Sequence, residues 1–168
     1  GLTKASTDIL LEKNADLVIT VDNGITAARE IQRLNDAGIK TIVTDHHLAD
    51  NERLPPGIVI NPNHPECKYT FKKISGCGVA LKLLMALRKS LRNLGWWTSE
   101  RPEPNLRKNL DLAALGTVAD VVPLVDENRV ITYHGLKVMN EKPRLAIQVL
   151  KNMKKVETIT SRTLAFQF

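Results

Sequence analysis

This sequence predicts an α/β fold, a parallel sheet with helices on both faces. Three observations carry the prediction. Leu17-Val18-Ile19-Thr20-Val21 and Ile42-Val43-Thr44 are short apolar and β-branched runs of buried-strand length. Between them, residues 26–37 place Ile31 and Leu34 at helical spacing, and Gly38 sits where a left-handed C-terminal cap is wanted. Residues 17–44 therefore read strand–helix–strand, a right-handed parallel βαβ unit.

The remaining elements follow in order. Residues 3–13 pattern as a helix with Ile9, Leu10 and Leu11 as its apolar face and Asn14 as its stop. The first strand ends at Asp22-Asn23-Gly24, and the second, residues 40–44, runs into Asp45-His46-His47. Leu54-Pro55-Pro56-Gly57 is a turn, and Ile58-Val59-Ile60 is a third strand stopped by Asn61-Pro62-Asn63. Ser75-Gly76-Cys77-Gly78 opens a long helix to about Leu94, with Val79, Leu83, Leu84 and Leu87 on one side. Residues 95–104 form a Pro-rich loop. Asn105 is an N-cap for a helix over residues 106–115, and residues 126–139 and 144–153 pattern as two more. The tail from Glu157 shows no clear period.

Bulk properties narrow the class. With 168 residues, 43% of them hydrophobic and 25% charged, the chain is of ordinary globular composition and one sizeable domain in length. No run is long and apolar enough for a membrane span, and the N-terminus does not pattern as a signal peptide, so a cytoplasmic protein is expected. Two cysteines, Cys67 and Cys77, are too few for a disulfide scaffold and read as reduced thiols. The net charge of +6 favours an anionic partner, nucleic acid first. Its basic clusters, among them Lys72-Lys73, Arg88-Lys89 and Lys154-Lys155, serve equally well as solvated helix faces.

The residues able to do chemistry lie at strand ends. In open α/β sheets the ligand site lies beyond the carboxyl ends of the strands. Adjacent strands run about 4.8 Å apart, so Asp22 and His46 at neighbouring ends can share a metal. Asp120, inside Thr-Val-Ala-Asp-Val-Val, is expected to be buried by its neighbours and to need a partner; an Arg, backbone amides or a metal would serve. Taken singly it reads as a cap or core acid, but beside two strand-end ligands the metal is the reading preferred. Two carboxylates and an imidazole suit Mg²⁺ or Mn²⁺ better than zinc. His47 is not expected to share an ion with His46, because adjacent strand residues face opposite ways, although that rule relaxes past the strand end. There His47 is free to face a substrate phosphate, or the pair is one core and one exposed histidine. Ser75-Gly76-Cys77-Gly78 has the form of a phosphate-cradling helix start, and Gly76 and Gly78 are equally explained by close packing. Trp96 and Trp97 read as anchors of their loop rather than as base-stacking platforms.

Five motifs then occur in a telling order: Val21-Asp22-Asn23-Gly24, Thr44-Asp45-His46-His47-Leu48, Asn61-Pro62-Asn63, Gly76-Cys77-Gly78-Val79-Ala80, and Gly116-Thr117-Val118-Ala119-Asp120-Val121-Val122-Pro123-Leu124. In this the chain resembles the DHH phosphoesterases, and most of all their single-stranded-DNA exonucleases. The resemblance covers nearly the whole chain. It implies a Rossmann-like domain, two Mn²⁺ or Mg²⁺ ions and hydrolysis of single-stranded DNA from a 5′ end in repair and recombination. It also implies residue roles. Asp22 bridges both metals, His46 and Asp120 complete one site, Asp45 orients the cluster and His47 contacts the scissile phosphate.

Two departures qualify the resemblance. The family's Asp-x-Asp-x-Gly motif on an earlier strand is not found, nor is its C-terminal Gly-Arg-Met-like motif. Residues 1–155 are therefore expected to be part of a catalytic domain lacking its first strand, and residues 156–168 the start of a linker. Such a piece is expected to bind at most one metal, weakly, to hydrolyse DNA poorly, and to expose a sheet edge open to self-association. Two other readings remain. One is a DHH hydrolase of short oligonucleotides, cyclic dinucleotides or small phosphates; the other is a non-catalytic DHH scaffold module.

Overall fold

A computed structural model describes residues 1–167, and Phe168 lies outside the described residues. The chain divides into two compact units, Gly1–Ala80 and Leu81–Phe168.

The first unit carries helix α1 (Lys4–Glu12), strand β1 (Leu17–Val21), helix α2 (Ala28–Asp36), strand β2 (Lys40–Thr44) and strand β3 (Ile58–Ile60). The strands are parallel in the order β1-β2-β3, with Val21 opposite Thr44 and Thr44 opposite Ile60. All three have the bounds expected from sequence. On α2, Ile31 and Leu34 are fully buried, each stabilising the unit by about 1.5–3 kcal/mol. This helix starts later than its apolar spacing suggests. Ala27 N–H donates to Gly24 O at 3.0 Å and Ile25 N–H to the Asp45 carboxylate at 2.9 Å, so residues 24–27 are committed to a turn.

Helix α1 differs from expectation in its face. Its one buried residue is Thr7, and Ile9 is 52% exposed. A reciprocal cap between Thr3 and Ser6 starts it. β1 likewise leaves Leu17, Ile19 and Val21 about half exposed.

Helix α3 (Gly76–Asn93) begins in the first unit and continues into the second. Val79 and Leu81 are buried, whereas Leu84 and Leu87, expected on the apolar side, are exposed. The loop after it is held at Trp97, whose indole N–H donates to Arg88 O at 3.3 Å. Trp96 does not anchor the loop in the same way. It stays half exposed, with the Arg101 guanidinium 3.9 Å from its ring centroid.

The expected helix over 106–115 is two elements. Asn105 caps a 3₁₀ turn, Leu106–Asn109, and helix α4 (Leu110–Ala119) follows. Helices α5 (Asp126–Glu141), α6 (Leu145–Lys154) and α7 (Ser161–Phe166) complete the unit. A Cβ on Gly135 would lie 2.2 Å from Leu110 O, so α4 and α5 approach as closely as they do only because that residue is glycine. Ala114, Val118, Met139, Ile147, Ile159 and Leu164 form the core. Asp111, 1% exposed, takes both arms of the Arg144 guanidinium, one at 2.7 Å. The aperiodic tail thus folds into this core, started by a reciprocal cap between Thr160 and Thr163. No disulfide joins Cys67 and Cys77. Among the described residues no helix is long and apolar enough to cross a membrane.

Candidate metal centre

Parallel pairing brings the ends of β1 and β2 level. Asp22 N–H continues the ladder to Thr44 O at 3.0 Å, and Asp45 N–H does the same to Ile60 O at 3.1 Å. Asp22 and Asp45 are thus register neighbours, yet they occupy opposite environments.

Asp45 is fully buried. Its Oδ2 accepts Ile25 N–H at 2.9 Å. Its Oδ1 accepts the N–H groups of His46 at 2.7 Å and His47 at 3.2 Å, and His47 Nδ1 lies 2.7 Å away. Burial opposes ionisation of this carboxyl. The Ile25 amide, the His47 side chain and the His47 and His46 amides together outweigh burial, and the group titrates below the ordinary carboxylate range. An ionised carboxylate only accepts, so His47 Nδ1 carries the hydrogen and Nε2 is turned away from it.

Asp22 is about half exposed and has a left-handed φ of +61°. Its carboxylate fills the space beside the first residue of α3. A Cβ on Gly76 would lie 2.1 Å from Asp22 Oδ1 and 2.4 Å from its Cγ. Gly76 is therefore glycine because Asp22 stands where its side chain would be. Gly78 similarly leaves room for Ile74, 2.5 Å from an added Cβ, and its N–H donates to Ser75 Oγ at 3.1 Å. Packing thus explains both glycines, and the Gly78 amide is already engaged.

His46 joins these parts. Its Nδ1 is 3.1 Å from Ile74 O. A carbonyl only accepts, so Nδ1 carries a hydrogen. Nε2 then faces Asp22 Oδ1 at 3.1 Å. In a neutral imidazole that places a lone pair against a carboxylate oxygen. A cation held by both atoms relieves the confrontation. This is the arrangement of a histidine ligand whose far nitrogen is fixed by a backbone carbonyl.

Asp22, His46 and His47 each offer a ligand atom within 4.8 Å of the others, the one such grouping of three acid, imidazole or thiol side chains among the described residues. The inclusion of His47 departs from the alternation argument. β2 ends at Thr44, and the amides of both histidines turn back onto Asp45, so the two rings lie 4.5 Å apart on one side. The donor set of one carboxylate and two imidazoles fits a divalent first-row metal cation, without selecting among them.

Asp120 belongs to the second unit. As expected, its carboxylate is drawn out of solvent at Oδ2, although the residue as a whole is only partly buried. It caps the C-terminus of α4, and the chain breaks direction at Val121, which has φ +55° and is 87% exposed. His64 accepts the Glu66 N–H at 3.3 Å, and His134 sits edge-on to Tyr133, both outside the cluster.

Comparison with known proteins adds a third kind of observation. Residues 2–117 match the DHH family, N-terminal domain. The chain is 40% identical over 169 residues to the single-stranded-DNA-specific exonuclease RecJ of Haemophilus influenzae, covering 99% of this chain and 29% of that protein. It is 43% identical over 137 residues to the Escherichia coli protein of the same name, covering 81% and 24%. Among solved structures, an exonuclease RecJ bound to manganese superposes with a TM-score of 0.80 at 34% identity, over 99% of this chain and 40% of that one. RecJ from Thermus thermophilus in complex with Mn²⁺ gives 0.76 at 35% identity, over 97% and 23%. The chain thus spans less than a third of the length of these curated relatives.

Proposed function

This chain belongs to the DHH family, and on that premise we propose that it is the metal-binding portion of a 5′→3′ exonuclease that hydrolyses phosphodiester bonds of single-stranded DNA in cytoplasmic repair and recombination. The observation that carries the reading is the Asp22–His46–His47 cluster, set at the ends of parallel strands in a chain similar to RecJ along nearly its full length. Residues 1–155 supply this catalytic portion.

Asp22 and His46 are the proposed ligands for Mn²⁺ or Mg²⁺, and Asp120 is assigned a metal-binding role by the family resemblance alone. Such an ion, when bound, supplies an activated water and neutralises charge on a phosphoryl oxygen. The protein's own groups prepare for this. The Ile74 carbonyl fixes His46 so that Nε2 is the atom presented to a cation. Gly76 leaves Asp22 its place beside that nitrogen. Gly76 serves DNA binding through Asp22 rather than by cradling phosphate itself. Asp45 holds the Nδ1 hydrogen of His47 and so turns Nε2, on a side chain 58% exposed, toward an incoming phosphate. There it donates a hydrogen bond when protonated. The net charge of +6 assists approach of the polyanion.

The test is a chimera in which residues 1–168 replace the matching segment of the Haemophilus influenzae relative. With Mn²⁺ it should degrade long single strands labelled at the 5′ end in preference to dinucleotides. Asp22→Ala, His46→Ala and Asp120→Ala should each reduce the rate by at least about a hundredfold. A chimera that prefers dinucleotides moves the reading to the short-oligonucleotide hydrolases, and full activity in Asp22→Ala overturns it. The 168-residue chain alone should take up at most one Mn²⁺, weakly, and degrade DNA poorly.

A further inference from the structure

Asn61-Pro62-Asn63, one of the five motifs of the sequence and the stop of β3, follows that strand directly. The structure gives it more to do. Asn61 is 3% exposed, and its Nδ2 donates to His47 O at 2.9 Å. Asn63 Nδ2 donates to His46 O at 2.5 Å. Asn61 Oδ1 accepts the Asn63 main-chain N–H at 2.7 Å, which ties the Asn61 side chain to the backbone of Asn63. Lys72 Nζ fastens the loop from its far side, donating to Pro62 O at 2.6 Å and Cys67 O at 2.8 Å.

Together with Asp45, this completes a pattern. The N–H groups of His46 and His47 both donate to Asp45 Oδ1, and their carbonyls both accept from Asn61 and Asn63. All four main-chain polar groups of the His-His pair are thus met by side chains. No helix or strand ladder holds this dipeptide, because β2 ends at Thr44 and β3 at Ile60. Its conformation, and hence the direction of both rings, is set by three side chains. Asn suits the task by chemistry. It brings a donor on a short stem to a carbonyl, whereas an isosteric carboxylate would bring an acceptor against an acceptor.

We infer that Asn61 and Asn63 are positioning residues for the site: through the peptide carbonyls they hold the imidazoles of His47 and His46 in the directions needed to meet an anion and a cation. Neither is a catalytic residue in its own right. The functional half of this inference rests on the reading given under Proposed function, and the geometric half does not.

The experiment uses the 168-residue chain without metal and records long-range ¹H–¹⁵N spectra of its histidine side chains. The unaltered chain should show His46 and His47 each as one tautomer with hydrogen on Nδ1. Asn63→Asp should mix the tautomers of His46, and Asn61→Ser should mix those of His47. Asn61→Ser keeps a small buried donor and guards against a variant that fails to fold. Asn140→Asp is the control for stability alone, since Asn140 also bridges main-chain groups, at Leu136 O and Ile159 O, both at 2.9 Å. It should leave both rings unchanged. Manganese titration followed by electron paramagnetic resonance should show binding at least tenfold weaker in Asn63→Asp and unaltered in Asn140→Asp. Single tautomers retained in both site variants, or rings disturbed equally by Asn140→Asp, would overturn the inference. Rings disturbed as expected while His46→Ala binds Mn²⁺ as well as the unaltered chain would uphold the positioning role and remove the metal reading instead.

Discussion

Asp45→Asn isolates what the buried carboxylate does apart from any metal. The amide keeps the shape and one acceptor. If its oxygen takes the place of Oδ1, the bonds from His46 N–H, His47 N–H and His47 Nδ1 persist with a weaker, neutral acceptor. Its NH₂ then confronts Ile25 N–H across 2.9 Å, a pair of buried donors with nothing between them. The lost bond and the stranded donor cost about 1–3 kcal/mol, and the loss of charge assistance from three remaining bonds adds about 1–2. Relief from burying a charge offsets part of this. The net expectation is a loss of about 2–4 kcal/mol at pH 7.

The pH dependence follows from the sign of the shift. The Asp45 carboxyl in the folded chain titrates below its ordinary value of 3.8. Its contribution is complete above that value and is lost as pH falls through the lower folded value. Urea unfolding followed by circular dichroism should therefore show a lowered midpoint with unchanged slope at pH 7, and a gap between the two chains that narrows below pH 3.8. Asp22→Asn, at a half-exposed carboxylate, should change stability by no more than about 0.5 kcal/mol. A gap below about 0.5 kcal/mol for Asp45→Asn at pH 7, or one of constant size down to acid, would refute the latch assigned to this side chain.

Three other outcomes are expected. Gly76→Ala puts a methyl 2.1 Å from Asp22 Oδ1 and 2.6 Å from its Cβ, so turning the carboxylate away does not clear it and the backbone must shift. Stability should fall by about 1–3 kcal/mol, and Mn²⁺ affinity measured by calorimetry should fall at least tenfold. Gly78→Ala, which meets the Ile74 side chain instead, should spare the affinity. Arg144→Met strands the buried Asp111 carboxylate. Because the Arg144 side chain is itself 38% exposed, the cost in chemical denaturation should be near about 2–3 kcal/mol. Ile19→Lys, in the exposed apolar row of β1, should abolish the concentration-dependent self-association that sedimentation velocity is expected to show for the unaltered chain.

The parts of this molecule legible in its sequence are those governed by one local rule. β1, β2 and β3 are readable because five- and three-residue apolar runs bounded by Asp, Gly and Asn have few alternatives. Asp22 and His46 are readable as neighbours because parallel register is implied by strand–helix–strand order. Sequence misleads where a tertiary partner decides. Ile9 looks like core, yet the first unit offers its helix a site for Thr7 instead. The long apolar stretch around Asp120 looks like a full enclosure, yet the residue is partly buried, with Oδ2 closed off from solvent and a left-handed turn following at Val121. α7 has no hydrophobic period because six residues are too few to show one, although the spacing of Thr160 and Thr163 marks its start. His47 escapes the alternation rule because that rule does not extend two or three residues past the end of a strand.

The chain's course beyond those strand ends also explains why one acid stands half exposed beside His46 and the other is buried as a latch. Asp22 and Asp45 follow register partners, Val21 and Thr44, so identical backbone conformations would aim both carboxylates to the same side of the sheet. They diverge because Asp22 adopts a φ of +61°. A left-handed residue other than glycine costs on the order of 1 kcal/mol and persists only where its surroundings require it. Here it carries the Asp22 carboxylate away from the position that Asp45 occupies and across to Gly76 and His46. Asp45 keeps the inward course and collects main-chain donors from the turn after β1 and from the histidines themselves. Two neighbouring carboxylates both turned inward would repel and raise one another's pKa. One strained dihedral therefore separates the half-exposed charge beside His46 from the buried charge that binds the loop together.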